Sequence, residues 1–276
     1  MIRRMAASTP KKPPLTHFLC IPLVTAVSRT QLSLRLAEFR DDITSPNSFA
    51  VPLGAVRPLG TLHLTLGVMS LKEDGKLEEA TELLKGLKLG EILESVREAE
   101  REKRKTQQQL TVTAAVTDGV EVVASSSSSA VTGLTISLRG LQTMQKPAQA
   151  TVLYAAPMDE AGLLYPFCER VRGVFREAGL VVDDGRALLL HATVVNTIYV
   201  KDNNNGNSSR GNRRGNGNGR GRRALALDAR AILDRYEEFA WIDGHVVEGV
   251  AICKMGAKEV DGDDGQAYEV VAEVGF

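Results

Sequence analysis

Cysteine is scarce in this chain of 276 residues, and its three copies are scattered. Cys20, Cys168 and Cys253 are an odd number and contain no Cys-x-x-Cys pair. Neither a disulfide framework nor a cysteine zinc site is therefore indicated, and we expect a reducing compartment. The single tryptophan, Trp241, lies late in the chain, where we expect it to pack in the core or at a sheet edge rather than to bind a ligand.

Net charge and long apolar runs are also absent. The 34 basic and 34 acidic residues cancel, which excludes attraction of polyanions by overall charge, so that any nucleic-acid contact needs a local patch. No stretch approaches the roughly 18 apolar residues of a membrane span, and we expect no membrane contact. The apolar run from Phe18 to Val24 resembles a short signal peptide, but Pro22 interrupts it and the segment serves better as a first core strand.

Histidine is rare too, yet two of the four copies stand in the same pattern. This pattern is His63-Leu64-Thr65-Leu66 in its first copy and His191-Ala192-Thr193-Val194 in its second. Apolar residues surround both copies, which predicts buried strands over about 61–69 and 188–195. Side chains two apart on a strand share a face, so each His and the following Thr can reach one ligand group together.

The chemistry of these side chains suits displacement at phosphorus. An imidazole titrates near neutral pH, so one His can take a proton from the attacking oxygen while the other gives one to the leaving oxygen. The hydroxyl groups of Thr65 and Thr193 can donate to the phosphoryl oxygens. We therefore predict that His63 and His191 are catalytic and that the two threonines bind phosphate, with no metal and no cofactor.

A single copy of the pattern would carry little weight. One His in an apolar strand is more often a core residue, and Thr is common in strands. Recurrence in matching contexts favours a shared site formed from two similar halves. The other two histidines, His17 on the first predicted strand and His245 in a predicted turn, are expected to be structural or exposed.

The duplicated motifs resemble those of the two-histidine (2H) phosphoesterase superfamily, in particular its A-kinase anchor protein 7-like phosphoesterase domain. The resemblance covers nearly all of residues 16 to 276. Besides the two motifs, the resemblance rests on three other features. They are an opening strand (Thr16 to Leu23), a strand pair (Leu138 to Leu141 with Val152 to Ala155) and the end of a helix (Phe175 to Leu180). The chain looks closest to the phosphoesterase-like portion of the activating signal cointegrator complex subunit, although only a tail of about fifteen residues stands here in the place of that protein's KH module.

The resemblance implies an α+β, two-lobed (LigT-like) fold with antiparallel-rich sheets, flanking helices and a central cleft lined by the motif strands. It also implies a metal-independent phosphodiesterase that acts on RNA ends or small nucleotides through a 2',3'-cyclic phosphate or a 2',5'-linkage. We expect a monomer in the nucleus or cytoplasm, with partner subunits in transcription regulation or DNA repair.

Two other functions stay open at this point. A domain of this fold could serve as a non-catalytic RNA or nucleotide sensor within a coactivator or repair complex, since resemblance indicates fold more securely than turnover. A structural zinc protein is disfavoured by the spacing of its histidines and cysteines.

The rest of the chain divides into a tail, a domain and two insertions. Residues 1–14 are predicted to be a disordered tail, and residues 15–276 the domain. A serine-rich, low-complexity insertion lies near 120–130. A second insertion, over 201–223, consists mainly of arginine, glycine and asparagine. It is either an expanded loop or a segment that contacts an RNA backbone. Periodicity further predicts helices over Val27 to Asp42, over Lys76 to Gln109 with breaks near Gly86 and Gly90, and over Asp228 to Tyr236. It predicts closing strands over Val246 to Met255 and Tyr268 to Val274.

Overall fold

The computed structural model describes residues 13–114, 133–183, 185–200, 225–262 and 265–276. The helices are α1 (Arg29–Thr44), α2 (Lys76–Lys85), α3 (Leu89–Ala114), α4 (Leu164–Glu177) and α5 (Arg230–Arg235). The strands are β1 (His17–Pro22), β2 (His63–Met69), β3 (Thr135–Thr143), β4 (Val152–Met158), β5 (Ala192–Asn196), β6 (Ala240–Val246), β7 (Gly249–Lys254), β8 (Lys258–Glu259), β9 (Gln266–Ala267) and β10 (Val270–Gly275). Within these ranges no helix has the length and apolar character needed to span a membrane.

Eight strands form two antiparallel sheets of four. The first sheet has the order β10-β7-β1-β2 and the second the order β5-β4-β3-β6, while β8 and β9 form a small hairpin. Each motif strand lies at the edge of its own sheet, β2 in the first and β5 in the second. This confirms the predicted α+β class with one antiparallel sheet for each motif.

The edges that carry the motifs are connected by short backbone pairings. Arg57 N–H, ahead of β2, donates to the carbonyl of Val194 on β5 at 2.8 Å. In return, Val182 N–H, on the segment that leads to the second motif, donates to the carbonyl of Val68 on β2 at 2.9 Å. A Cβ at position 67 would lie 2.9 Å from the Val181 side chain, so Gly67 permits this close approach. The two motif strands are thereby held beside each other.

The core explains why the helices form where they do. Helix α1 buries Leu32, Leu36, Phe39 and Ile43, a spacing that places all four on one face, whereas Leu34 is exposed. Helix α4 likewise turns apolar side chains inward, among them Phe167, Val171 and Phe175. These side chains join those of both sheets in one core cluster. The apolar spacing on each helix thus fixes which side faces the sheets.

Most of the predicted elements are present, with shifted ends. The opening strand, the strand pair before α4 and the helix that ends near Phe175 are confirmed. The break after α2 falls at residues 86–88, and Gly90 lies inside α3 rather than at a break. The predicted strand Val246 to Met255 is wrong in part, because β6 ends at Val246 and β7 begins only at Gly249.

The strand predicted over 188–195 was also too long. It begins at Ala192, so His191 lies directly before the strand. The carbonyl of Leu189 accepts a hydrogen bond from the His191 ring, and the side chain of Leu189 is exposed, so the leucine run does not continue the strand. Strand β6 was not predicted, and it contains His245, which therefore lies on a strand and not in a turn.

Three predicted features lie outside the described residues. These are the tail up to residue 12, the serine-rich insertion near 120–130, and the arginine, glycine and asparagine insertion over 201–223. Their predicted roles stay predictions.

Candidate functional site

His63 begins strand β2, and both of its ring nitrogens are engaged. Nδ1 lies 2.8 Å from the carbonyl oxygen of Thr61, and Nε2 lies 3.0 Å from Oγ1 of Thr65. A carbonyl can only accept, so Nδ1 carries the proton in this arrangement and the Thr65 hydroxyl donates to Nε2. The ring packs at a tilt against Phe18 with centroids 4.7 Å apart, and edge-on against Tyr268 with centroids 5.3 Å apart.

His191, directly before strand β5 of the second sheet, has the same backbone contact. Its Nδ1 lies 2.8 Å from the carbonyl oxygen of Leu189, again two residues earlier, and its ring packs against Tyr154 with centroids 5.5 Å apart. Tyr154 is held by its hydroxyl, which donates to Gln142 at 3.0 Å, and it pairs across the strands with Thr193. Both imidazoles are therefore fixed by the same backbone bond, which leaves Nε2 as the nitrogen that can exchange a proton with a ligand.

The structure places the two motifs, with the four predicted site residues, on neighbouring sheet edges. Side chains of His63 and Thr65 touch directly on β2, and Thr193 lies opposite the tyrosine that packs on His191. A charge on His191 lowers the pKa of His63, so the two rings are within electrostatic range of each other. All four are partly buried, which leaves them open to a ligand but shielded from bulk water.

The charges that act on His63 are positive. Burial is the largest cause that lowers its pKa, and charges on His191 and Arg57 lower it further, to about 4, against the opposing effect of the bond to Thr61. His63 is therefore neutral at pH 7 and can accept a proton at Nε2. A group of positive and neutral donors of this kind suits an anionic ligand such as a phosphate.

Sequence reasoning missed Arg57 and Tyr268. The Arg57 side chain is only 6% exposed, its Nη2 lies 3.5 Å from the Tyr268 hydroxyl, and its Cζ lies 4.0 Å from the centroid of the Tyr199 ring. A sequence signal did exist for Arg57, since it is the only Asp, Glu, Lys or Arg between Asp42 and Lys72. No comparable signal marks Tyr268, which a distant hairpin brings to the first motif.

The remaining histidines are buried and lie away from the motif pair. His17 is at the opposite end of β1 from the residue that pairs with His63, and its Nδ1 lies 2.9 Å from Thr16 Oγ1. Burial is the main cause that lowers the pKa of His17 and of His245. In the part of the chain that the structure describes, no group of three or more His, Cys, Asp or Glu side chains is placed to hold a metal ion.

The lowered pKa of His63 predicts a stability that depends on pH. The unfolded chain binds this proton near pH 6.5, whereas folded His63 stays neutral down to about pH 4. The stabilisation is therefore complete above pH 6.5 and is lost as the pH falls towards 4, by about 3 kcal/mol. We expect the free energy of unfolding, measured by urea titration, to decrease between pH 6.5 and pH 4 in both wild type and His63→Gln. The decrease should be about 3 kcal/mol smaller in the variant, which lacks this titrating group. An equal decrease in the two proteins would contradict the assignment.

Comparison with known proteins decides the family. The sequence profile of the AKAP7 2'5' RNA ligase-like domain matches residues 15–276. The chain belongs to this family. Its membership confirms the resemblance to the 2H phosphoesterases and supports a phosphodiesterase-type activity. The closer resemblance to the activating signal cointegrator subunit stays a prediction, as do the partner subunits it implies.

Individual relatives of this AKAP7-like chain are distant. The Schizosaccharomyces pombe protein C15D4.13c is 29% identical over 142 residues, which are 51% of this chain and 57% of that protein. The match thus spans little more than half the length of the relative. Among solved structures, Escherichia coli LigT complexed with 3'-AMP is 15% identical with a TM-score of 0.46, over 95% of this chain and 98% of that one. The Thermus thermophilus protein TT0787 is 14% identical with a TM-score of 0.41, over 94% and 97%.

Proposed function

We propose that the protein is a metal-independent phosphodiesterase that acts on RNA ends or small nucleotides carrying a 2',3'-cyclic phosphate or a 2',5'-linkage. The catalytic groups are His63 and His191, and Thr65 and Thr193 bind the phosphate. Family membership supports the class of chemistry, and the arrangement of the four side chains supports their roles.

One observation carries the proposal: the two imidazoles are held in the same way on neighbouring sheet edges. Each Nδ1 donates to the backbone carbonyl two residues earlier at 2.8 Å. This bond fixes both the tautomer and the ring plane, so that Nε2 is the reactive nitrogen on both sides. A purely structural histidine has no need of such a matched partner on the neighbouring sheet edge.

The reaction follows from the two nitrogens. With a 2',3'-cyclic phosphate, one Nε2 takes a proton from water while the water oxygen forms a bond to phosphorus. The bond from phosphorus to one ribose oxygen breaks, and the other imidazole donates its proton to that oxygen. The threonine hydroxyls hold the non-bridging oxygens, on which negative charge accumulates. One imidazole has then gained a proton and the other has lost one, and exchange with solvent restores both.

A substrate panel in EDTA tests this function. Purified wild type and the His63→Ala/His191→Ala variant are incubated with 2',3'-cyclic and 2',5'-linked oligonucleotides, and products are separated by chromatography. We expect product from wild type alone, and the substrate that is consumed identifies the linkage. Binding without product, if the histidine substitutions weaken that binding, would instead indicate a nucleotide sensor. Loss of wild-type activity in EDTA would contradict the metal-independent scheme.

The threonines are expected to matter less than the histidines. Thr65→Val and Thr193→Val keep the β-branched shape and remove one hydroxyl each, so that one hydrogen bond to a charged oxygen is lost. We expect kcat/KM to fall by about 10-fold to 100-fold in each variant. Steady-state kinetics on the substrate found in the panel measures this. The same substitution at Thr143, whose hydroxyl lies on strand β3 and donates to the carbonyl of Val152, is the control, and an equal loss there would contradict the role.

A further inference from the structure

Arg57 is a buried cation whose charge is not balanced within the described residues. It forms no ion pair with them, and its one hydrogen bond to a side chain among them is from Nη2 to Tyr268. A guanidinium carries five N–H donors, and burying one without an anion is costly. Buried Arg172 shows the contrast, since its guanidinium lies 3.4 Å from Glu169. The charge of Arg57, which no acid among the described residues balances, suits an anionic ligand.

This cation lies next to the candidate active site but is offset from it. The charge of Arg57 lowers the pKa of His63. Tyr268 lies between the two residues. The ring of Tyr268 meets His63, whereas its hydroxyl meets the Arg57 guanidinium. Two histidines and two threonines already surround the proposed reacting phosphate. The position of Arg57 therefore suits the next phosphate along a chain.

Tyr199 adds an aromatic surface beside this cation. It ends a short helix that directly follows β5, and Arg57 covers one face of its ring. Tyr199 is nevertheless 48% exposed. The apolar side chains of Ile198, in the same short helix, and of Leu53, in a short helix that packs against it, are exposed as well. Exposed aromatic rings next to phosphate-binding cations are the usual means by which proteins hold single-stranded nucleic acid, because every base can stack on them.

We propose that Arg57 and Tyr199 form a second nucleotide subsite, in which Arg57 binds the phosphate next to the reacting one and Tyr199 stacks on a base. The inference rests on the proposed function and deepens it. It makes the preferred substrate an oligonucleotide rather than a mononucleotide, with specificity set by a residue pair outside the His-x-Thr motifs.

Binding without turnover tests the subsite separately from catalysis. The probes are a fluorescein-labelled RNA trinucleotide with a 3'-phosphate and adenosine 3'-monophosphate as competitor, measured by anisotropy. Wild type is expected to bind the trinucleotide at least about tenfold more tightly. In Tyr199→Ala this ratio of affinities falls about tenfold, whereas it is unchanged in Tyr165→Ala, an equally exposed tyrosine on α4. No change of the ratio in Tyr199→Ala would overturn the proposal.

Substitution of Arg57 supplies the second measurement. Arg57→Met removes one phosphate contact, so the dependence of log Kd on log salt for the trinucleotide becomes shallower by about one. Arg57→Lys keeps the charge and most of the salt dependence, which guards against a folding defect in the methionine variant. An unchanged slope in Arg57→Met would refute a phosphate contact. If the protein prefers the trinucleotide but turns over no substrate, the subsite proposal stands and the phosphodiesterase proposal fails. If it turns over substrate but shows no preference for the trinucleotide, the phosphodiesterase proposal stands and the subsite proposal fails.

Discussion

Replacing either His63 or His191 with alanine lowers kcat by a factor of about 10² to 10⁴, because each substitution removes one of the two proton transfers. The double variant falls little further than either single variant, since the two groups act as a unit in one displacement. Single-turnover kinetics on the preferred substrate measures the chemical step without product release. Normal turnover in both single variants would rule out the two-histidine mechanism.

Two further substitutions make this result specific. His17→Ala and His245→Ala remove buried histidines that the proposed mechanism does not use, and we expect kcat to change by less than about twofold. His63→Gln serves beside His63→Ala, because an amide side chain fills more of the space next to Phe18 and Tyr268. Circular dichroism and urea unfolding of each variant separate a lost proton transfer from a lost fold.

Trp241→Ala lowers the free energy of unfolding by about 3 to 5 kcal/mol, the largest stability effect that we expect from one substitution. Trp241 is 1% exposed on β6, and its ring packs edge-on against Phe39 of α1 and against Phe239, at 4.8 and 4.9 Å between centroids. Its indole N–H donates to the carbonyl of Gly140 at 2.9 Å. Truncation therefore leaves a large cavity between α1 and the second sheet, and it also removes a buried hydrogen bond.

Trp241→Phe divides these two contributions. Most of the packing is kept and the N–H is lost, so we expect a smaller decrease of about 1 to 2 kcal/mol. Urea titration followed by circular dichroism measures both variants without relying on tryptophan fluorescence. A decrease below about 1 kcal/mol in Trp241→Ala would show that this aromatic cluster does not stabilise the second sheet as its burial implies.

The sequence was sufficient to predict the motif strands because local pattern decides them. Recurrence of His-x-Thr in apolar surroundings located two strands, and the structure places one at each facing sheet edge. The expectation that Trp241 packs in the core or at a sheet edge is confirmed, since it is buried on β6. These features depend on side-chain alternation and hydrophobicity, which a single sequence displays directly.

Features that depend on distant contacts were missed. The leucines before His191 look like a strand by composition, but their backbone bonds to the His191 ring instead of to a neighbouring strand. Strand β6 has charged and glycine residues at its centre, Asp243 and Gly244, which have a weak strand propensity. The strand pairs with β3 on both sides of them, and the register shifts at these two residues. Tyr268 lies between strands β9 and β10 and contacts His63 of the first motif only through tertiary packing, which no local pattern predicts.

Arg57 lies between these two cases. An isolated cation in a long uncharged segment is visible in the sequence, and the structure shows it buried beside the motif histidine. What the sequence cannot supply is the pair of tyrosines, 142 and 211 residues later (199 minus 57, and 268 minus 57), that define where its guanidinium lies. The proposed substrate preference depends on that tertiary contact.

Convergence of the two imidazoles on one phosphate is measured most directly by nitrogen-15 NMR of the four histidine rings during a titration with inorganic phosphate. In the free protein at neutral pH, His63 should carry its proton on Nδ1, as the bond to Thr61 requires. Phosphate is expected to shift the Nε2 signals of His63 and His191 with one shared midpoint, and to leave His17 and His245 unchanged. A shift of only one motif histidine, or two different midpoints, would contradict a single site formed by both motifs.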